Sequence, residues 1–436
     1  MIFRSNTQKY MLFLAIAFST SLAVAQNQIL INSPGLYPEG LVYDGESDSF
    51  FTTSVAEGKI LKVSRSGKFS VFAEGKELIS AIGLEIDSKR NRLIVCNSDP
   101  GVGKKGSDAT KGTLASIVFY NLKTGKREKF INLTDIAPTG AHLANDVTVD
   151  GNGNYFVTDS FSPIIYKIDS KGKPSIFIND SRLSAPQGAF GLNGLTYHPD
   201  GFLIAAVYNE GKLFKIPLNN PSSLAEINIL NKTFPTIDGV LLLNSKTLAL
   251  TTNNLTGADF PSAVYKIETK DNWINAQTTS SFETGNTFPT SLTQADDGVY
   301  VVYAKLQMLF GGNNPMAQEF EITKVNFNNN LTLNNTTMST KPLMIVNAVL
   351  NSEQREAFAA YSERSSVIFK SVGAVPVGKY KVSTTLVGTK KPHIIAVMEF
   401  PNEQTILDVF ESEAYRELLP LRDKAFKELD VFIVNQ

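Results

Sequence analysis

The chain has 436 residues, 42% of them hydrophobic and 19% charged, with 41 Lys and Arg against 42 Asp and Glu, and one cysteine. A formal net charge of −1 excludes the basic footprint that nucleic acid or an anionic membrane surface would need, so neither is expected as a partner. A single cysteine, Cys96 in the apolar run RLIVC, excludes a disulfide framework and reads as a buried, inert thiol.

In chain order, the first feature is a targeting segment. Arg4 and Lys9 precede an apolar stretch from Met11 that ends Ala23-Val24-Ala25. Basic region, apolar core and small-residue site are those of a secretory signal peptide, and the stretch is shorter than the roughly 20 apolar residues that span a bilayer. Residues 1–25 are expected to be removed, leaving a secreted or periplasmic protein of net charge −3.

A six-residue phrase then recurs six times: EGLVYD from Glu39, IGLEID from Ile82, NDVTVD from Asn145, NGLTYH from Asn193, DGVLLL from Asp238 and TSLTQA from Thr290. Its spacings of 43, 63, 48, 45 and 52 residues bracket the period of a four-stranded propeller blade. The fourth copy shows the plan: an inner strand Gly194 to Tyr197, a turn at Pro199-Asp200-Gly201, an apolar run Phe202 to Tyr208, a strand Lys212 to Ile216, and a last strand from Ala225 to Leu230. These features predict a mainly β chain with a six-bladed β-propeller over residues 26–327. Gln28 to Asn32 (QILIN) is expected to close blade six beside TKVNF, since an untied ring leaves an exposed edge.

In a propeller the first strand of each blade lies nearest the axis, so Glu39, Asn145, Asn193 and Asp238 should converge around the channel mouth. Two carboxylates and two amide oxygens, with neither Cys nor His, suit a hard divalent cation such as Ca²⁺. Such an ion would polarise a carbonyl or phosphoryl oxygen and lower the pKa of bound water, with Asp238 as general base. Asn and Asp before Gly are also ordinary turn formers, but that does not explain Glu39. His142, three residues before Asn145, is either a proton relay or a loop histidine satisfying a backbone carbonyl. His198, in the turn YHPDG, should be solvated on the opposite face. The loops Asn97 to Gly112, Asn253 to Ser262 and Ala304 to Gln318 open on the metal rim. The last carries an apolar cluster, Leu306, Met308, Leu309 and Phe310, in a connection that should be exposed; it is either a binding wall, with Phe310 a candidate substrate contact, or a loop packed onto its own blade.

An Asn/Thr-rich linker, residues 328–341, leads to a second unit over residues 342–436. MIVNAVL reads as a strand, Ser352 onward as a capped helix, KYKVSTTLVG and HIIAVMEF as strands, Asn402 to Phe426 as a long helix interrupted near Pro420, and DVFIVN as a final strand. That β-α-β-β-α-β order predicts a ferredoxin-like α+β domain. Its sheet is apolar on both faces, with Ile345, Ala396, Met398 and Phe432 too many to be covered from one side, so a homodimer through this domain is expected.

Both units resemble known families. The propeller resembles the regucalcin/gluconolactonase/luciferin-regenerating-enzyme family of metal-dependent hydrolases through Pro38-Glu39-Gly40, Asn145-Asp146, Asn193-Gly194-Leu195 with Pro199-Asp200-Gly201, and Asp238-Gly239. The resemblance implies that Glu39, Asn193 and Asp238 ligate the metal, while Asn145 contacts it through water or binds substrate. Where sugar-lactone members carry an Arg two residues before the blade-three Asn, this chain has Leu143, and His142-Leu143-Ala144-Asn145 is more similar to the calcium-dependent phosphotriesterase-like branch. The C-terminal unit resembles small dimeric α+β barrel proteins of unassigned function through Phe358-Ala359-Ala360-Tyr361, Met398-Glu399-Phe400-Pro401 and Ser412-Glu413-Ala414-Tyr415. The function expected is an exported Ca²⁺-dependent hydrolase of lactones or related esters. The competing reading is a non-enzymatic, metal-stabilised propeller that serves as a binding platform.

Overall fold

A computed structural model describes residues 27–186, 188–255, 262–312, 315–327, 342–385 and 389–434; the expected signal peptide, residues 1–25, and the expected linker, residues 328–341, lie outside the described residues. The chain divides into two compact units, Met1–Thr332 and Leu333–Gln436. Among the described residues no helix is long and apolar enough to cross a membrane.

The first unit holds six sheets in chain order, antiparallel except for one parallel strand added to the fifth. Their innermost strands are Leu41–Asp44, Ser80–Asp87, Ala144–Val149, Leu192–His198, Val240–Asn244 and Pro289–Ala295, each touching the next and the sixth touching the first. The six-bladed propeller is therefore present and closed. Second strands are covered on both faces by neighbouring blades, so Phe202–Val207 (FLIAAV) and Tyr155–Asp159 (YFVTD) are buried throughout and read as continuous rather than alternating runs. Outer strands such as Phe69–Glu74 are mostly exposed.

Closure follows the expected logic with a shifted register. Gln28–Ile31 pairs antiparallel with Phe320–Thr323, Ile29 opposite Ile322 and Ile31 opposite Phe320, so of the expected TKVNF partner Thr323 joins the ladder and Lys324 N donates to the Asn27 carbonyl at 2.8 Å. Arg65 of blade one reinforces the seam by donating to Asp297 Oδ1 at 3.0 Å and to the Tyr300 hydroxyl at 3.1 Å in blade six. The expected Ala225–Leu230 strand is divided. Ala225–Glu226 pairs within blade four, buried Ile227 turns the chain, and Asn228–Ile229 runs parallel to Asn275–Ala276 of blade five. His198 is a correction: it is fully buried, stacked on Phe202 at 4.2 Å, with Nε2 bonded to the Ser245 carbonyl at 2.9 Å. Cys96 is a buried free thiol, as expected.

The second unit has the sheet order Val375–Lys381, Ile394–Glu399, Leu343–Leu350, Phe426–Val434, all antiparallel, which is the split β-α-β-β-α-β arrangement. Its first helix begins at Arg355 with Gln354 at the cap, two residues after the Ser352 cap expected. The second helical stretch is three pieces, Glu403–Glu411, Glu413–Arg416 and Leu419–Ala425, the first capped by Asn402 Oδ1 accepting from Thr405 N at 2.8 Å and the second by Ser412. Met344, Val346, Met398 and Val431 join the core under the helices. By alternation Ile345, Val397 and Phe432 occupy the other face, where Phe432 is 47% exposed. Ala396 and Met398, grouped above with the uncovered residues, thus lie on the helix side.

We propose that a second copy of this sheet covers the open face, a two-fold pairing that removes apolar area from water on both chains. Light scattering is expected to give two chains per particle for the full-length protein and one for the Ile345→Glu/Phe432→Glu variant; a monomeric parent would show that the face is not used this way.

Candidate functional site

In four of the six blades the start of the inner strand lies so near the axis that its backbone meets that of the next blade, while blades three and six carry Asp146 and Ser291 at the equivalent position. A Cβ on Gly40 would stand 2.6 Å from the Ile82 carbonyl oxygen, on Gly83 2.4 Å from that of Asn145, on Gly194 2.3 Å from that of Asp238, and on Gly239 2.4 Å from that of Thr290. The glycines in the recurring phrase are therefore demanded by close approach, whatever residue precedes them.

Hydroxyl groups complete this ring. In blades one, three and five a threonine near the end of the second strand accepts from its own blade's inner strand: Gly40 N to Thr53 at 2.8 Å, Asp146 N to Thr158 at 3.0 Å, Gly239 N to Thr251 at 2.8 Å. The same hydroxyls donate onward to the next blade, Thr53 to Ile82 O at 2.6 Å, Thr158 to Asn193 O at 2.8 Å and Thr251 to Thr290 O at 2.6 Å. Thr290 donates to Glu39 O at 2.7 Å and carries the circuit across the closure. The backbone groups in this circuit are thus satisfied without help from the side chains of Glu39, Asn145, Asn193 or Asp238.

Those side chains converge as predicted. Glu39, Asn145, Asn193 and Asp238, each at most 6% exposed, line one cavity of about 50 Å³. The Asn145 amide donates to Ser160 Oγ at 2.9 Å, which leaves its Oδ1 as an acceptor, and Glu39 Oε2 and Asn145 Oδ1 are buried with no hydrogen-bond partner among the described residues. Asp238 accepts from Asn253 Nδ2 at 2.5 Å and from Asn193. Among the described residues no three Asp, Glu, His or Cys side chains gather as a metal centre, so the donor set is two carboxylates and two carboxamides.

No Lys, Arg or His is among the lining residues. Burial pushes Asp238 up to about 6, against hydrogen bonds from Asn253 and Asn193 that pull it down. Glu39 is raised well above the usual carboxylate range by burial and by the charges of Asp238 and Asp146. Two further carboxyls share this field: Asp146, raised to about 7 chiefly by burial while accepting from Leu195 N at 2.8 Å, and Glu85, raised to about 8 by burial and Asp146. Both stand in the recurring phrase, Asp146 as part of the Asn145-Asp146 motif, and the sequence reading gave neither carboxyl a role.

The remaining wall is apolar. Phe310 lines the cavity as predicted, on a short helix Leu306–Phe310 that also brings in Leu306 and buries Leu309, so this cluster is tucked in rather than exposed. Pro100 and Leu255 arrive from the other two long loops, while residues 256–261 lie outside the described residues. Phe190, which the sequence reading missed, stands 6.0 Å from the Phe310 ring and 6.3 Å from Tyr208. His142 is not among the lining residues. It is buried, with Nδ1 on Asp159 Oδ2 at 2.7 Å and Nε2 on the Thr139 carbonyl at 3.2 Å, and Tyr166 donates to the same carboxylate at 3.0 Å. Of the two roles weighed for His142, the geometry matches the loop histidine that satisfies a backbone carbonyl, here that of Thr139.

Residues 343–436 match the model of a family described as a domain of unknown function (DUF1330). The propeller is similar to the major allergen Mala s 1 of Malassezia sympodialis, at 17% identity over 69% of this chain and 96% of that one with a TM-score of 0.52, which shows the fold. Other similar structures are a luciferin-regenerating enzyme (13% identity, 69% and 96% covered, TM-score 0.46) and a gluconolactonase from Xanthomonas campestris (11%, 68% and 89%, 0.46). No curated protein matches the chain.

The electrostatics fix a pH dependence. Asp238, Asp146 and Glu85 bind protons more tightly folded than unfolded, so the stability that their protonation provides is complete near pH 4 and is lost as pH rises through about 6, 7 and 8. His142, raised by its hydrogen bond to Asp159, acts in the same direction. In chelator, the melting temperature is expected to fall from pH 5 to pH 8, and less steeply for Glu85→Gln; a flat or rising profile in the parent would contradict this assignment.

Proposed function

We propose that the chain is an exported, metal-dependent hydrolase of lactones or related esters, with Ca²⁺ as the metal. The observation that carries this reading is the donor ring itself: two buried, unpartnered oxygens, Glu39 Oε2 and Asn145 Oδ1, beside Asp238 and Asn193 in a cavity whose lining has no cation. Buried carboxylates without a positive partner are costly, and oxygen-only donors of this kind fit a hard divalent ion. Glu39, Asn145, Asn193 and Asp238 would hold it, and when bound it supplies Lewis acidity at the cavity floor.

The chain's own residues perform the rest. Asn253 and Asn193 orient Asp238 so that its carboxylate accepts the proton of an attacking water as general base. Ser160 turns the Asn145 carboxamide so that its oxygen faces the cavity. Phe190, Phe310 and Leu306 exclude bulk water and hold an apolar substrate body. Leu143, at the position where sugar-lactone members of the resembling family carry Arg, also lines the cavity and offers no charge to a sugar acid. The favoured substrate is therefore a hydrophobic lactone or aryl ester. The similarity in fold to a gluconolactonase and the leader-like residues 1–25 agree with this reading.

Full-length protein without residues 1–25 should hydrolyse members of a panel of alkyl lactones, aryl esters and phosphotriesters in Ca²⁺ and lose that activity in chelator. Asp238→Ala should lower kcat by at least about 10²-fold, the scale of a lost general base. Asn193→Ala should remove the rise in melting temperature that Ca²⁺ gives the parent. Stabilisation by Ca²⁺ with no turnover across the panel would establish the binding-platform reading instead. No stabilisation at all would overturn the metal site.

A further inference from the structure

The C-terminal unit contains a second hollow, about 320 Å³, between its first helix, Arg355–Ser371, and the helix side of the sheet, open along the edge strand where Pro376, Val377 and Lys379 are exposed. Cores of natural domains are packed with few voids larger than a water molecule. Here the hollow is about twice the ~150 Å³ of an engineered apolar cavity that stays dry and takes up benzene. It reaches the lower end of the volumes of small-molecule sites.

The hollow is written into the residues that should fill it. The helix stripe that meets the sheet runs Phe358, Tyr361, Ser362, Ser365, Ser366, Phe369, so aromatic residues stand at the two ends and serines in the middle. Opposite them the sheet presents Ala348 and Ala396, its smallest side chains on that side. The aromatic ends cannot move in to close the gap. Tyr361 is pinned by a 2.8 Å bond between its hydroxyl and that of buried Tyr415, and Phe369 packs on Phe400 at 5.8 Å. Val346, Ile394 and Val431, which a packed core would bury, remain only partly buried because they face the hollow.

The polar groups of the lining are equally selective. Three serine hydroxyls lie along the helix, Lys379 is the one charged residue among the lining residues, and no acid accompanies it. Its ammonium sits 5.3 Å over the Phe358 ring at the edge of the hollow. The geometry points to a binding site in the C-terminal unit for an apolar monocarboxylate, its alkyl or aryl body against the Ser and Ala middle and its carboxylate at Lys379. This site does not depend on the propeller's activity.

Calorimetry of the full-length chain with decanoate tests it, with decanol as the uncharged counterpart. Decanoate should bind saturably, one molecule per chain. Ser365→Leu, which fills the hollow from the helix side, should abolish binding and raise the melting temperature. Should that variant fail to fold, Ala396→Val narrows the hollow from the sheet side and should weaken binding at least about tenfold, the scale of lost apolar contact. Lys379→Met should weaken decanoate roughly fivefold, the scale of one exposed charge-assisted contact, and leave decanol unchanged. Non-saturating uptake, or decanoate binding that persists in folded Ser365→Leu or Ala396→Val, overturns the site; equal effects of Lys379→Met on both ligands overturn the carboxylate assignment.

Discussion

The approach of six inner strands to one axis is the constraint from which the propeller's site follows. In four blades the backbone meets the carbonyl of the next with no room for a Cβ, which places Gly40, Gly83, Gly194 and Gly239. It also leaves carbonyls and amides at the axis that no strand ladder can pair. Thr53, Thr158 and Thr251 pair them, each bonding within its own blade and onward to the next. Because glycine and threonine do the structural work, the side chains of Glu39, Asn145, Asn193 and Asp238 are released to face the cavity.

That release has an electrostatic consequence. Glu39 and Asp238 at the inner-strand starts are buried, and two half-buried acids, Asp146 and Glu85, stand near them. Hydrogen bonds from Asn253, Asn193 and Leu195 hold part of that charge, but no guanidinium or ammonium lines the cavity. Surrounding blades keep the geometry despite the repulsion because the hydroxyl circuit and the hydrophobic core do not involve these carboxyls. A bound cation would then find its donors already ordered, so little of its binding free energy would be spent on arranging them.

The propeller was legible because its information is local and repeated. A blade announces itself within about fifty residues by a turn, a buried run and another turn, and the phrase that opens it fixes which residues meet at the axis. What escaped the sequence was set by contacts between blades. Nothing around Ala225–Leu230 says that Asn228 will leave blade four for Asn275, and nothing around His198 says that Ser245 of the next blade will bury it. His142 was ambiguous for a related reason. Its partner Asp159 lies one strand away, and only the register of blade three brings the two side chains to 2.7 Å. The threonine circuit could have been found, since a threonine recurs near the end of three second strands, but its meaning depends on the neighbouring blade's carbonyl.

The C-terminal unit shows a different limit. Alternation of apolar and polar residues gives strand order and the existence of an open face, and both are as read. Alternation says nothing about volume. Ser362 and Ser365 sit at helix positions that pattern alone assigns to the core, and pattern cannot tell whether a small residue there is matched by a large one across the interface. At Ala348 and Ala396 it is matched by another small one, and a hollow results. It also cannot say which sheet face a helix will choose: Ala396 and Met398 turn toward the helices, while Ile345 and Phe432 one residue out of phase do not. The sheet is therefore apolar on both sides for two separate reasons, one face left open and the other set against a space that its own side chains do not fill.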